Sequence, residues 1–143
     1  MHVYRLCKEG YSNLDGDGAS KTNNSWNSKG KHVIYTSENI ALTILEILVH
    51  LDYDLIPNDY CLLTIDIPDN CTVEQYSKTT LSRNETIRFG DEWLTSKRSL
   101  ILATPSYIIN KEKNILINPN HPEFTNIKVI NKEPFNFDSR LFK

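Results

Sequence analysis

Only one well-marked segment, residues 38–51, repeats its apolar side chains at helical spacing, and it follows directly on a short β-branched run at residues 32–36. A strand that hands over to an amphipathic helix is therefore fixed near the start of the fold. At about 100° per residue, Ile40, Ile44, Ile47, Leu48 and Leu51 form the apolar face, and Asn39, Thr43, Glu46 and His50 form a polar stripe. Ser37 or Thr36 is the expected helix cap. Most of the remaining apolar sequence falls into short β-branched and aromatic runs bounded by Pro, Asn, Gly or Asp, at residues 2–6, 60–67, 100–104, 107–109, 115–118, 127–130 and 135–137. A second helix is expected around residues 91–97, and the polar stretch 74–86 as a mobile excursion. The pattern is α+β: one compact domain over residues 1–143, with many short strands around few helices. A chain of 143 residues buries roughly two-thirds of its unfolded surface and needs no disulfide or metal staple.

Charge and motif geometry remove several function classes. The net charge is −2 and Lys97-Arg98 is the only adjacent basic pair, which argues against direct nucleic-acid binding. Cys7, Cys61 and Cys71 lack Cys-x-x-Cys spacing and read as reduced thiols, Cys61 in phase with Leu63, Ile65 and Ile67 on a core-facing strand. Asp15-Gly16-Asp17-Gly18 resembles a calcium loop, but Ser20 stands where its glycine belongs and Trp26 where its bidentate glutamate belongs. Gly30-Lys31 is followed by His32 rather than Ser or Thr, and Ser25 stands where a phosphate loop needs its first glycine. The four histidines, His2, His32, His50 and His121, lack metal-ligand spacing, so no metal is expected. No targeting segment or membrane span is expected either, since Arg5, Lys8 and Glu9 interrupt the amino terminus and Glu46 and Asp52 break the longest apolar run. A cytoplasmic location follows as the expectation.

The strand-to-helix junction is also where a site is expected. Tyr35 leaves the strand at its end, and Glu46 projects from the helix roughly two turns after its start. A glutamate on the polar stripe of an amphipathic helix is ordinarily solvated. Here Leu42, Ile47 and Val49 border the stripe, leaving it narrow enough for the carboxylate to line a pocket wall.

In order and spacing, a series of short motifs resembles the RES-domain family, the toxins of RES-Xre toxin–antitoxin pairs. The series runs through Val3-Tyr4-Arg5-Leu6, Leu14-Asp15-Gly16-Asp17-Gly18-Ala19, Trp26-Asn27, Tyr35-Thr36-Ser37-Glu38 and Glu46. It continues through Ile65-Asp66-Ile67-Pro68-Asp69, Gly90-Asp91-Glu92-Trp93, Pro105-Ser106, Glu112-Lys113-Asn114 and Asn118-Pro119-Asn120-His121-Pro122-Glu123-Phe124, and closes with Phe135-Asn136-Phe137-Asp138-Ser139-Arg140-Leu141.

The resemblance implies a fold similar to ADP-ribosyltransferases and an enzyme of the NAD glycohydrolase or NAD phosphorylase class. Such an enzyme depletes NAD by cleaving the nicotinamide–ribose bond, with water or inorganic phosphate as nucleophile. NAD is then the substrate and no separate cofactor is implied. An Xre-type helix-turn-helix antitoxin is the implied partner, with a toxin homodimer inside the complex.

Residue by residue, the resemblance assigns Tyr35 to flank the nicotinamide and Glu46 to stabilise positive charge on the sugar. It assigns Arg5 to phosphate, and Trp26, Asn27 and Ser106 to the NAD-binding wall. For Ser106 the competing expectation is an ordinary turn after Pro105; His121 is expected to be structural. One departure stands out: the family places an arginine of its catalytic set where this chain has Ser25. Serine lacks the planar fork that grips phosphate oxygens in pairs, and Lys21, Lys29 and Lys31 would orient a pyrophosphate poorly. Either the chain is a natural member with impaired or rearranged chemistry, or an arginine was deliberately replaced so that a toxic protein could be produced. The alternative function is therefore a catalytically silent RES-fold protein that still binds NAD, its antitoxin, or both.

Overall fold

Alternation along the apolar runs decides the architecture. In the strand Ile101–Pro105, Ile101 and Ala103 join one buried cluster while Leu102 joins another. In Tyr60–Asp66, Cys61, Leu63 and Ile65 join the first cluster and Leu62 a third. Both faces of the sheet are therefore covered, as side chains of period two require when each face has a partner layer. The computed structural model describes residues 1–51 and 55–142. In chain order its elements are β1 (His2–Lys8), α1 (Asp17–Ser20), β2 (Ile34–Ser37), α2 (Ile40–Leu48), β3 (Tyr60–Asp66), β4 (Val73–Gln75), α3 (Arg83–Ser96), β5 (Ile101–Pro105), β6 (Lys113–Ile117) and β7 (Lys128–Phe135), with short 3-10 turns between them.

The seven strands form one sheet in the order β4-β5-β6-β2-β1-β3-β7. Only β4 and β5 run parallel; the other neighbours are antiparallel. One face carries the largest cluster, built on Val3, Ile34, Leu63, Ile65, Ile101, Ile115 and Ile117. Fully burying each such side chain contributes about 1.5–3 kcal/mol. On the other face, α3 and the Trp26 loop cover Leu102 and Leu116, while Ile44, Ile47 and Leu48 of α2, together with Phe137 and Phe142, cover Leu6 and Leu62. Between these two smaller clusters β1 and β2 are paired at a single position, Tyr4 opposite Ser37, so the sheet is nearly split there.

Several expectations are corrected. The helix α2 spans Ile40–Leu48, shorter than 38–51, and its cap is Asn39, whose side chain accepts from the Leu42 backbone N–H at 2.7 Å. Its most buried residues are Leu42 and Thr43, while Ile40 is exposed; Thr43 spends its hydroxyl on the Asn39 and Tyr4 carbonyls. Residues 107–109 form a turn rather than a strand, and residues 128–130 of the run 127–130 and Phe135 of the run 135–137 belong to one edge strand, β7, while residues 136 and 137 lie beyond it. Pro134 does not break it, because an edge strand tolerates a missing donor. The stretch 74–86 is no excursion: it contains most of β4 and the first turn of α3, which spans Arg83–Ser96 rather than 91–97. Arg98 fastens the two, pairing with Glu74 and Glu92 and lying over the Phe89 ring.

The cysteines are free thiols. Cys7 and Cys61 face each other across β1 and β3, and burial first, then the neighbouring Cys7, pushes the Cys61 thiol up to about 12. His121 uses Nδ1 to accept the Glu123 backbone N–H, a capping role.

Candidate functional site

The loop of residues 22–31 carries little secondary structure, so its shape depends on what holds it. Asn27, fully buried, supplies much of the hold from within: its amide donates to the carbonyls of Ala19, Ser28 and Lys31, and its Oδ1 accepts from Asn24. Helix α3 supplies the rest from outside. Arg83 donates to the Asn23 carbonyl at 3.2 Å, Thr86 to the Ser25 carbonyl at 2.6 Å, and Asp91 accepts from both the backbone and the hydroxyl of Ser28 at 2.9 and 2.6 Å. Residues 83, 86, 90 and 91 fall on one helical face by spacing. Gly90 lies at the centre of that face: a Cβ there would meet the Trp26 carbonyl oxygen at 1.7 Å. Only glycine permits this approach of helix to loop. Gly16 has a comparable constraint, with φ of 74° and a virtual Cβ 2.8 Å from the Val33 nitrogen.

Tyr35 and Glu46 are then oriented by neighbours. The Tyr35 hydroxyl donates to Asn27 Oδ1 at 2.7 Å and accepts the Trp26 backbone N–H at 3.1 Å. Burial raises its pKa well above the usual tyrosine value, against the opposing pulls of the Trp26 N–H and the Arg83 charge. The phenol therefore stays protonated and committed, and its ring is what the residue offers to a ligand. Glu46 Oε1 accepts from Ser106 Oγ at 2.6 Å and Asn114 Nδ2 at 2.8 Å. Asn114 is itself fixed by Ser37, and Ser106 by accepting the backbone N–H groups of Ile108 and Ile109 at 3.0 and 3.1 Å. Both bonds go to one carboxylate oxygen; Oε2 has no hydrogen-bond partner among the described residues.

These groups surround a cavity of about 470 Å³ lined by Arg5, Ser25, Trp26, Tyr35, Glu46 and Arg83 among others, with a smaller one of about 80 Å³ beside it at the β1–β2 split. The larger volume lies within the usual range for a small-molecule pocket. Among the described residues Arg5 reaches only the Tyr35 carbonyl, at 3.5 Å, and its buried Nε has no partner. Among the described residues neither Arg5 nor Arg83 is paired with a carboxylate. A cavity lined by two guanidinium groups that no described carboxylate pairs, and by one carboxylate, suits a ligand carrying negative charge at one part and developing positive charge at another.

Of the residues expected at the site, Arg5, Ser25, Trp26, Tyr35 and Glu46 come together at the cavity. Asn27 and Ser106 do not reach it; they stand directly behind Tyr35 and Glu46. The Ser106 turn is real, and the same hydroxyl that closes it serves Glu46. Lys29 and Lys31 do not line the cavity, and Lys21 pairs with Asp17 at 3.5 Å. Sequence reasoning missed Asn114 and Tyr107 on the wall, and Arg83, Thr86 and Gly90 as the loop's holders. Their helical spacing with Asp91 was the available signal. Among the described residues, no cluster of three or more His, Cys, Asp or Glu side chains is arranged to hold a metal ion, and no helix is long and apolar enough to cross a membrane.

Comparison with known proteins agrees with this architecture. A RES domain family model matches residues 2–138. The chain is 32% identical over 153 residues to a protein named Toxin Res from Photorhabdus laumondii, covering all of this chain and 98% of that protein. It is 32% identical over 140 residues to a Prs ADP-ribosylating toxin from Sphingobium sp., covering 91% and 87%. In fold it is similar to a chain in the crystal structure of the M. tuberculosis MbcT-MbcA toxin–antitoxin complex, with a TM-score of 0.67 at 15% identity, covering 99% of this chain and 86% of that one.

Proposed function

The chain belongs to the RES-domain family, and on that premise we propose that it is the toxin of a toxin–antitoxin pair and depletes NAD by breaking the nicotinamide–ribose bond. The observation that carries the reading is Glu46, a carboxylate held through one oxygen by Ser106 and Asn114 with the other left for the cavity that Arg5 and Tyr35 also line. When nicotinamide leaves before a nucleophile has bonded fully, positive charge builds on the ribose. A carboxylate already oriented at that point stabilises the oxocarbenium-like state without having to reorganise. Tyr35 gives its ring to the nicotinamide, since its hydroxyl is occupied. Arg5, which lines the cavity and has no carboxylate partner among the described residues, takes a phosphate oxygen.

Nicotinamide release is common to hydrolysis, phosphorolysis and ADP-ribosyl transfer, so it is the step to measure. Chromatography of NAD, with and without inorganic phosphate, should show nicotinamide formed by the purified chain, and a loss of about 100-fold or more in Glu46→Gln. ADP-ribose without phosphate, or its phosphate ester with phosphate, identifies the nucleophile. The absence of nicotinamide under both conditions would refute the proposal. The neutral Ser25 on the cavity wall supports the second reading, a silent RES-fold protein; in that case NAD is bound intact and Ser25→Arg starts turnover. An Xre-type antitoxin and a toxin homodimer belong to the same proposal, and co-expression followed by sizing of the complex tests both.

A further inference from the structure

Arg83 holds the loop with one donor, and as a charged group on the cavity wall it has no part yet in binding a ligand. It sits at the first position of α3, with one donor of its guanidinium on the Asn23 carbonyl at 3.2 Å and no carboxylate beside it among the described residues. It lines the same cavity as Arg5, Ser25 and Glu46. A guanidinium has five donors in a planar fork, so most of this one is unspent. The helix that carries it is tied to the loop at Thr86, Gly90 and Asp91 independently of Arg83. The backbone that carries Arg83 is therefore held in place, and its guanidinium, steadied by the Asn23 carbonyl, keeps donors free beside the cavity that the residue lines.

We propose that Arg83 holds the diphosphate of the bound nucleotide from the loop side of the cavity, supplying the cationic fork that Ser25 on the same wall cannot. The assignment rests on NAD, or its ADP-ribose part, occupying this cavity. It makes Arg83 a binding residue for the phosphates rather than a participant at the reacting carbon, where Glu46 stands.

Affinities for NAD, ADP-ribose and nicotinamide riboside, by calorimetry on the full chain, distinguish these roles, because nicotinamide riboside lacks the diphosphate. Arg83→Ala should weaken NAD and ADP-ribose by about tenfold to 100-fold and leave nicotinamide riboside within about twofold. Arg83→Lys should recover part of the loss, since a point charge replaces a fork. Ser25→Arg in the Arg83→Ala background should recover more, because the fork returns to the same wall. Unchanged ADP-ribose affinity in Arg83→Ala overturns the assignment, and so does an equal loss for nicotinamide riboside, which would mean that Arg83 only holds the loop. A protein that binds ADP-ribose through Arg83 but leaves NAD intact refutes NAD cleavage alone; one that binds no diphosphate ligand refutes both.

Discussion

Replacing Gly90 by Ala should invert the usual effect of that substitution inside a helix. On propensity alone, Ala gains about 0.8–1 kcal/mol over Gly. Against this, the new methyl would lie 1.7 Å from the Trp26 carbonyl oxygen and 2.7 Å from its carbon, both backbone atoms that cannot rotate aside. Restoring ordinary contact takes a separation of helix and loop by about 1.5–2 Å. A shift of that size carries the Asp91–Ser28 bonds at 2.9 and 2.6 Å and the Thr86–Ser25 bond at 2.6 Å beyond hydrogen-bonding reach. The neutral bond is worth about 1 kcal/mol, and the bonds to the carboxylate roughly 1.5–3 kcal/mol each. Partial relaxation returns some of this, so the net expectation is a loss of about 2–4 kcal/mol. Urea unfolding with equal slopes for the two proteins gives the difference directly. A Gly90→Ala protein as stable as the parent, or more so, would refute the claim that the loop is held by close approach of α3.

Two further perturbations separate the scaffold from the chemistry. Tyr35 has its pKa raised on folding by burial, so the stabilisation is whole below the ordinary tyrosine value of about 10 and is lost as pH climbs toward the higher folded value, by up to about 1.4 kcal/mol per pH unit. Tyr35→Phe should thus cost about 1–3 kcal/mol at pH 8 by stranding the Trp26 N–H and leaving Asn27 Oδ1 with only its bond from Asn24, and the gap to the parent should narrow in urea titrations at pH 10–11. A gap that stays constant would contradict the assignment. Ser106→Ala should lower kcat for nicotinamide release by about tenfold or more with KM little changed, because it leaves Glu46 held by Asn114 alone without touching the cavity wall. It should also cost about 1–3 kcal/mol in stability, since two turn N–H groups lose their acceptor.

The sequence was legible where period and burial coincide. The bounds of β1, β2, β3, β5 and β6 followed from β-branched runs within a residue or two, whereas β4 was missed and β7 was read as two runs, and the strand-to-helix junction that carries Tyr35 and Glu46 was visible because both periods occur side by side. Helix α2 was overextended because Leu51 continues the apolar spacing, yet the backbone cap comes from Asn39, a residue also compatible with the helical stripe. Helix α3 was read as half its length because its first turns are polar: they bury Thr86 and Gly90 against a loop, and no hydrophobic period records that contact. For the same reason the clamp on the Trp26 loop and the presence of Arg83 at the cavity were missed: helical spacing with Asp91 marks a shared face and not what that face packs against. Contacts between residues about 60 positions apart, such as Glu46 with Ser106, exist only once the sheet order is known.

The account turns on where the dinucleotide binds and which bond faces Glu46. A crystal structure of Glu46→Gln soaked with NAD examines this with the substrate intact. The ribose hydroxyls should lie beside residue 46, nicotinamide against the Tyr35 ring and the diphosphate at Arg5 and Arg83. NAD bound outside this cavity, or with its nicotinamide ribose turned away from residue 46, would contradict it.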